Sequence, residues 1–154
     1  MKLIYFLNGK FILSKKAYIL ADDPGLLRGM GLFETMRAYK GRIVYLESHL
    51  RRLLDSADLL CIKIPYSKAR LEGIIKETIR LNNISDSCIR LIVWRMQHGT
   101  GVLVTIKKYY PYRKERYKNG FSVCVSELRQ DEESVSSKIK TISRAFYELS
   151  YNTA

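Results

Sequence analysis

Apolar residues fall in short, closely spaced runs over the first 45 positions and at helical spacing over the next 40, so the chain changes from strand-like to helix-like periodicity. Residues 3–7 and 11–13 flank Asn8-Gly9-Lys10, and an Asn-Gly pair supplies the positive φ angles of a tight hairpin. Asp22-Asp23-Pro24-Gly25 reads as a turn cluster. Residues 32–39 and 42–45 predict a second hairpin around Lys40-Gly41, in which Phe33, Thr35, Arg37 and Tyr39 share one face. From residue 46 to 60 the period becomes helical: Leu46, Leu50, Leu53, Leu54, Ala57 and Leu60 form one stripe, with His49, Arg52 and Ser56 on its flank. Pro65 ends that connection and Ser67 is placed to cap a second helix, whose stripe is Leu71, Ile74, Ile75 and Ile79 and which stops near Asn82-Asn83.

Residues 88–96 and 102–110 are dense in branched and aromatic side chains and predict a strand pair joined by Gln97-His98-Gly99-Thr100-Gly101. Alternation puts Cys88, Arg90, Ile92 and Trp94 on one face of the first of these strands. Residues 111–119 read as a polar connector, residues 121–125 as a further strand, and residues 130–133 as an acidic loop. Phe146 and Leu149 then begin a helical stripe continued by Ser150 and Thr153. The pattern predicts an α+β small domain over 1–117, an antiparallel sheet packed with two helices. The roughly 35 residues after that boundary are too few to bury a core of their own, so the chain is expected to be cut short.

Composition narrows the classes. With 47% hydrophobic and 27% charged residues the 154-residue chain is globular in character, and no apolar run approaches the ~18 residues of a membrane-spanning helix. Three widely separated cysteines (Cys61, Cys88, Cys124) fit a reduced, cytoplasmic protein better than a disulfide framework. The net charge is +12, of which +9 lies in residues 61–119 and −1 in residues 120–154. Within the basic stretch, residues 107–118 interleave lysines and arginines with four tyrosines, the residue types of single-stranded nucleic-acid binding. No recognised nucleic-acid-binding signature accompanies them, which disfavours that reading.

His49 and His98 lack ligand-spaced partners, so no metal site is expected. Arg28-Gly29-Met30-Gly31 precedes a strand, whereas a phosphate-cradling glycine loop follows one and opens a helix, so the glycines read as a backbone turn. Arg37 and Arg90 lie on apolar strand faces, where a guanidinium needs an anion or carbonyl partner; a strand-end ion pair and a carboxylate-binding role fit equally. Arg52, at the edge of the helical stripe, suits either a bound phosphate or a solvent pair with Asp55 or Glu47. Lys140 stands between Ile139 and Thr141-Ile142 just before a helix; a lysine held among apolar groups can serve as an amine nucleophile towards a carbonyl.

Three segments, in order, resemble the class IV (fold-type-IV) pyridoxal-phosphate enzymes: branched-chain and D-amino-acid aminotransferases and aminodeoxychorismate lyase. Residues 23–37, DPGLLRGMGLFETMR, resemble the family's turn-Gly-x-Gly-x-Phe-Glu-x-x-Arg segment. Glu47-Ser48-His49-Leu50-Arg51-Arg52-Leu53 resembles its Glu-His-x-x-Arg-Leu helix start, and residues 136–149 resemble the Lys-Thr-x-Asn stretch that carries its reactive lysine. The resemblance implies that Lys140 is the catalytic, cofactor-bound amine and that Arg52 holds the phosphate of pyridoxal 5'-phosphate. It also implies that Phe33, Arg37, Arg90 and Arg28 line or shape the substrate pocket. Arg28 stands where aminotransferases of the family often carry an aromatic residue, and Pro24, Met30, Cys88 and Ser143 are further departures, which bear on the substrate. The implied function is amino transfer between an amino acid and a 2-oxo acid in a homodimer. Aminodeoxychorismate lyase, a non-catalytic remnant and nucleic-acid binding through residues 107–118 are the alternatives. The family's chains are nearly twice as long, so the resemblance implies that residues 118–154 are the linker and truncated start of a second, large α/β domain that binds the cofactor, and a truncated chain with impaired activity is expected.

Overall fold

Asn8 and Gly9 both adopt positive φ, which closes β1 (Ile4–Leu7) onto β2 (Lys10–Leu13) as a two-residue hairpin. The computed structural model describes residues 2–153. Its remaining strands are β3 (Gly31–Tyr39), β4 (Arg42–Ile43), β5 (Ser87–Arg95) and β6 (Thr100–Lys108). All pair antiparallel in one six-stranded sheet of order β2-β1-β6-β5-β3-β4. The mixed α+β class and the antiparallel sheet are as the sequence predicts. β4 is shorter than the expected 42–45, because Tyr45 turns to φ 52° to enter the following helix.

That helix, α2 (Leu46–Leu59), and α3 (Lys68–Asn82) cover one face of the sheet. Their stripes supply Leu50, Leu53, Ala57, Leu71, Ile74 and Ile75 to the core, against Met36, Ile89, Leu91 and Val104 from the strands. Ser67 caps α3 by accepting the Arg70 N–H at 3.2 Å, and Asn83 ends it in the left-handed region. The Asn82 amide then bonds both the N–H and C=O of Ile4 at 2.8 and 2.7 Å, tying β1 to the helix end.

The opposite face of the sheet has no long helix on it. Where the sequence predicts a turn at residues 22–25, a short helix α1 (Pro24–Arg28) packs on β5 instead. Proline at its first position and Gly29 in the left-handed conformation at its end supply both stop signals within five residues. Beyond β6 the polar connector carries α4 (Lys114–Asn119), followed by α5 (Val135–Lys138) and α6 (Ala145–Asn152). Residues 121–125 are not the strand their composition predicts: they carry no regular secondary structure and are exposed. A β-forming sequence becomes a strand only where another strand pairs with it, and these residues join none of the six strands of the sheet.

Candidate active site

Alternation along β3 sends Leu32, Glu34, Met36 and Ala38 towards the helices, all of them buried, and Phe33, Thr35 and Arg37 towards the uncovered face. Cross-strand register sets Ile92 beside Phe33 and Arg90 beside Thr35 on that same face. Residues 140–142 complete the arrangement from far along the chain. They run antiparallel to the start of β3, where the Phe33 N–H donates to the Lys140 carbonyl and the Ile142 N–H to the Gly31 carbonyl, both at 3.0 Å. Thr141 therefore pairs with Leu32, and Lys140 shares the uncovered face with Phe33. The Lys140 side chain is half-buried, its Nζ 4.8 Å from the centre of the Phe33 ring.

The result is an open cavity of about 880 Å³ between α1, the sheet and the start of α6. Phe33, Ile92, Trp94 and Ile142 give it apolar walls; Lys140, Arg90 and Arg144 give it cations. The Arg90 and Arg144 guanidinium carbons lie 5.3 and 6.0 Å from the centre of the Phe33 ring, so three positive groups lie around one aromatic ring. The wall formed by α1 is pinned at Trp94, whose indole N–H donates to the buried carboxylate of Asp23 at 2.9 Å. Gly25 and Gly101 accept the indole against their backbones, since a Cβ on either would sit 2.5 or 2.2 Å from it.

Other arginines singled out from the sequence lie elsewhere. Arg28 is exposed on α1 and does not line the cavity. Arg37 is at the far end of β3, where it pairs with Asp86 at 3.1 Å, donates to the Ala38 carbonyl and stacks 3.7 Å over the Tyr109 ring. Arg52 reaches the sheet from the helix-covered side. Instead of Asp55 or Glu47, it meets Glu34: its Nε donates to Oε1 and its Nη2 to Oε2, both at 2.6 Å. Glu34 is 1% exposed and also accepts from His49 Nδ1 at 2.7 Å. The hydrogen bonds and charge of Glu34 hold the Arg52 guanidinium pKa above its usual value, against a smaller opposing effect of burial. Lys140 and Arg52 thus approach neighbouring residues of one strand, Phe33 and Glu34, from opposite faces.

In the basic strip, Tyr112 packs edge-on to Tyr117 and Phe121, with ring centres 6.4 and 5.1 Å away. No helix among the described residues is long and apolar enough to cross a membrane.

The Amino-transferase class IV family profile matches residues 31–154. The chain belongs to the class IV aminotransferase family. Among its relatives, a Methanocaldococcus jannaschii protein assigned as a branched-chain-amino-acid aminotransferase is 48% identical over 90 residues, covering 58% of this chain and 31% of that one. The D-alanine aminotransferase of Bacillus licheniformis is 28% identical over 136 residues, covering 82% and 47%. The branched-chain aminotransferase of the thermophilic archaeon Thermoproteus uzoniensis, solved with norvaline, superposes with a TM-score of 0.67 at 26% identity, over 74% of this chain and 43% of that one. A further branched-chain amino acid aminotransferase, solved with pyridoxamine 5'-phosphate, gives a TM-score of 0.70 at 26% identity, over 75% of this chain and 43% of that one. This class IV aminotransferase chain therefore spans less than half the length of each of these relatives.

Two features of this class IV site escape the sequence. Arg144 and Trp94 line the cavity, yet Arg144 follows the lysine by four residues with only its charge to mark it. Trp94 reads simply as a strand residue. Alternation does put Glu34 opposite Phe33, but which face the helices would cover is not encoded in a period of two.

Proposed function

We propose that this chain takes part in pyridoxal-phosphate-dependent amino transfer between an amino acid and a 2-oxo acid, with Lys140 as the amine that holds the cofactor. The observation that carries this reading is the placement of the Lys140 Nζ over Phe33 in the lining of the 880 Å³ cavity. The donor set suits the group: a primary amine, an apolar wall for a flat ring, and guanidiniums for anionic substituents. When bound, the cofactor supplies the conjugated ring that accepts the electron pair freed at the substrate α-carbon.

The protein's own groups do the rest. Lys140 would hold the cofactor through its Nζ and, as a free amine while substrate is bound, would take up the proton released at the α-carbon and return it on the cofactor side. Phe33 and Ile92 exclude water from one side of the reacting plane. Arg90 receives a substrate carboxylate and Arg52 grips the phosphate, whereas Arg28 and Arg37, which lie outside the cavity, take no part in this reading. The related branched-chain and D-alanine enzymes make small amino acids the first substrates to try. The same reading includes a homodimer, supported by the exposed apolar side chains Tyr18, Leu20, Leu26 and Leu27 beside the cavity.

The direct test mixes pyridoxal 5'-phosphate with the purified chain, reduces with borohydride and maps the adduct by peptide mass. A single adduct on Lys140, absent from Lys140→Ala, is expected. No adduct, or labelling spread over other lysines such as Lys138, overturns the assignment.

A further inference from the structure

We propose that Glu34 is a positioning residue: its buried carboxylate takes the Nε–Nη2 edge of Arg52 and so presents the remaining Nη1–Nη2 edge as a preformed receptor for the cofactor phosphate. The proposal rests on the reading of Arg52 as the phosphate-gripping group and adds how that group is made specific. A guanidinium has five N–H donors in a rigid plane. Glu34 consumes two of them along one edge at 2.6 Å, so the plane and direction of the other edge are fixed. The Arg52 side chain is still 53% exposed while Glu34 is 1% exposed, so the pair faces outward with its cation and inward with its anion.

His49, one turn earlier on α2, fills the remaining acceptor position on Oε2 at 2.7 Å. Its Nδ1 carries the proton as donor. The carboxylate is held by three hydrogen bonds from two residues of one helix, which is more than pairing a surface arginine requires. The location also fits. Residues 140–142 pair with β3 at 31–33 and β4 pairs at 38–39, so the edge of β3 between them carries neither. That open stretch begins at Glu34, between the strand face that Lys140 shares and the face from which Arg52 approaches. An arginine free to swing would lose rotamer entropy on binding there; one already held by Glu34 does not.

The experiment compares pyridoxal 5'-phosphate with pyridoxal, which has the same aldehyde and lacks the phosphate. Each is titrated against the full chain, and the Lys140 adduct is read by absorbance and by mass after borohydride reduction. The wild type is expected to prefer the phosphorylated aldehyde, and Arg52→Ala to lose that preference. Glu34→Gln is expected to lose roughly 10–100-fold of it, the range that outer-sphere partners command at metal sites, with pyridoxal labelling unchanged. A glutamine puts an NH₂ donor against the donors of Arg52 or His49, so it cannot hold both. Arg52→Lys keeps the charge and loses the fork; it is expected to fall with Glu34→Gln and decides the matter if Glu34→Gln does not fold. Wild-type preference in a folded Glu34→Gln or in Arg52→Lys overturns the positioning role. Failure of both aldehydes to label Lys140 in the wild type overturns instead the function on which it rests.

Discussion

Asp23 is a carboxylate whose value lies in one hydrogen bond. It is 1% exposed and accepts from the Trp94 indole at 2.9 Å, with the Gln97 N–H at 3.4 Å as a second, weaker donor. Removing the acceptor strands a buried N–H, which costs about 1–3 kcal/mol. At this chain length each kcal/mol moves Tm by roughly 2–4 °C, so Asp23→Ala is expected to melt several degrees below the wild type by calorimetry. Asp23→Asn, which keeps an acceptor, is expected to fall by less. An unchanged Tm in Asp23→Ala refutes the anchoring role. Single residues are legible in proportion to how local their job is. Ser67 as a cap and Asn8-Gly9 as a turn follow from their immediate neighbours. The partner of Arg52 does not: Asp55 and Glu47 are its near neighbours on the helix, yet Glu34, on another element, holds it, because the packing of α2 on β3 brings the two side chains together only in the folded chain.

The lysine-bearing segment owes its place to a contact between elements at Gly31. A Cβ there would lie 2.7 Å from the Val93 carbonyl oxygen and 2.7 Å from Ile142 Cδ1. Gly31→Ala therefore pushes on both β5 and residues 140–142, and the weaker attachment yields first. β5 is held along nine residues on its other side by β6, whereas residues 140–142 have one isolated bridge to β3. The expected outcome is a sheet that still folds, with borohydride-trapped adduct on Lys140 much reduced. Gly41→Ala is the control: its backbone φ of +77° makes it strained, but nothing lies within 4 Å of the new Cβ, so it should lower Tm and leave labelling intact. Equal labelling in the two variants refutes the argument. Elements with internal stop signals or a sequence-adjacent partner, namely the hairpins, α2, α3 and the β5–β6 pair, are legible with small errors at their ends. Residues 121–125 mislead because strand propensity describes a side chain's fitness for a sheet, not the presence of the sheet. Residues 140–142 pair with a strand over 100 positions away, and no local pattern announces that.

Across the whole molecule, order is distributed unevenly. Residues 31–108 hold nearly all the buried side chains of the core, while Phe121, Val123 and Val125 are exposed and residues 120–133 carry no helix or strand. The described contacts that return from the later segment to the sheet are few. They are two backbone hydrogen bonds at β3, a side-chain bond from Thr141 to the Gly29 carbonyl at 3.4 Å, the burial of Ile139, the Ile142 side chain against Gly31, and Lys140 and Arg144 at the Phe33 ring. Ordering a residue costs about 1–2 kcal/mol of backbone entropy, and each such hydrogen bond returns about 0.5–1.5 kcal/mol net. Residues 139–143 are therefore held in place largely because the chain keeps their local concentration high. Brief trypsin treatment is expected to cut first at Arg129, in an exposed stretch that can fit a protease cleft, rather than at Lys40 or Arg95, which lie in or beside tight turns between paired strands. Once the linker is cut, the peptide bearing Lys140 should separate from the sheet on gel filtration. The remaining piece should melt within a few degrees of the intact protein and no longer form the adduct. A nicked protein whose two pieces stay together and still label Lys140 would mean that the segment is docked by more than those contacts, and that the division expected near residue 117 is not an energetic one.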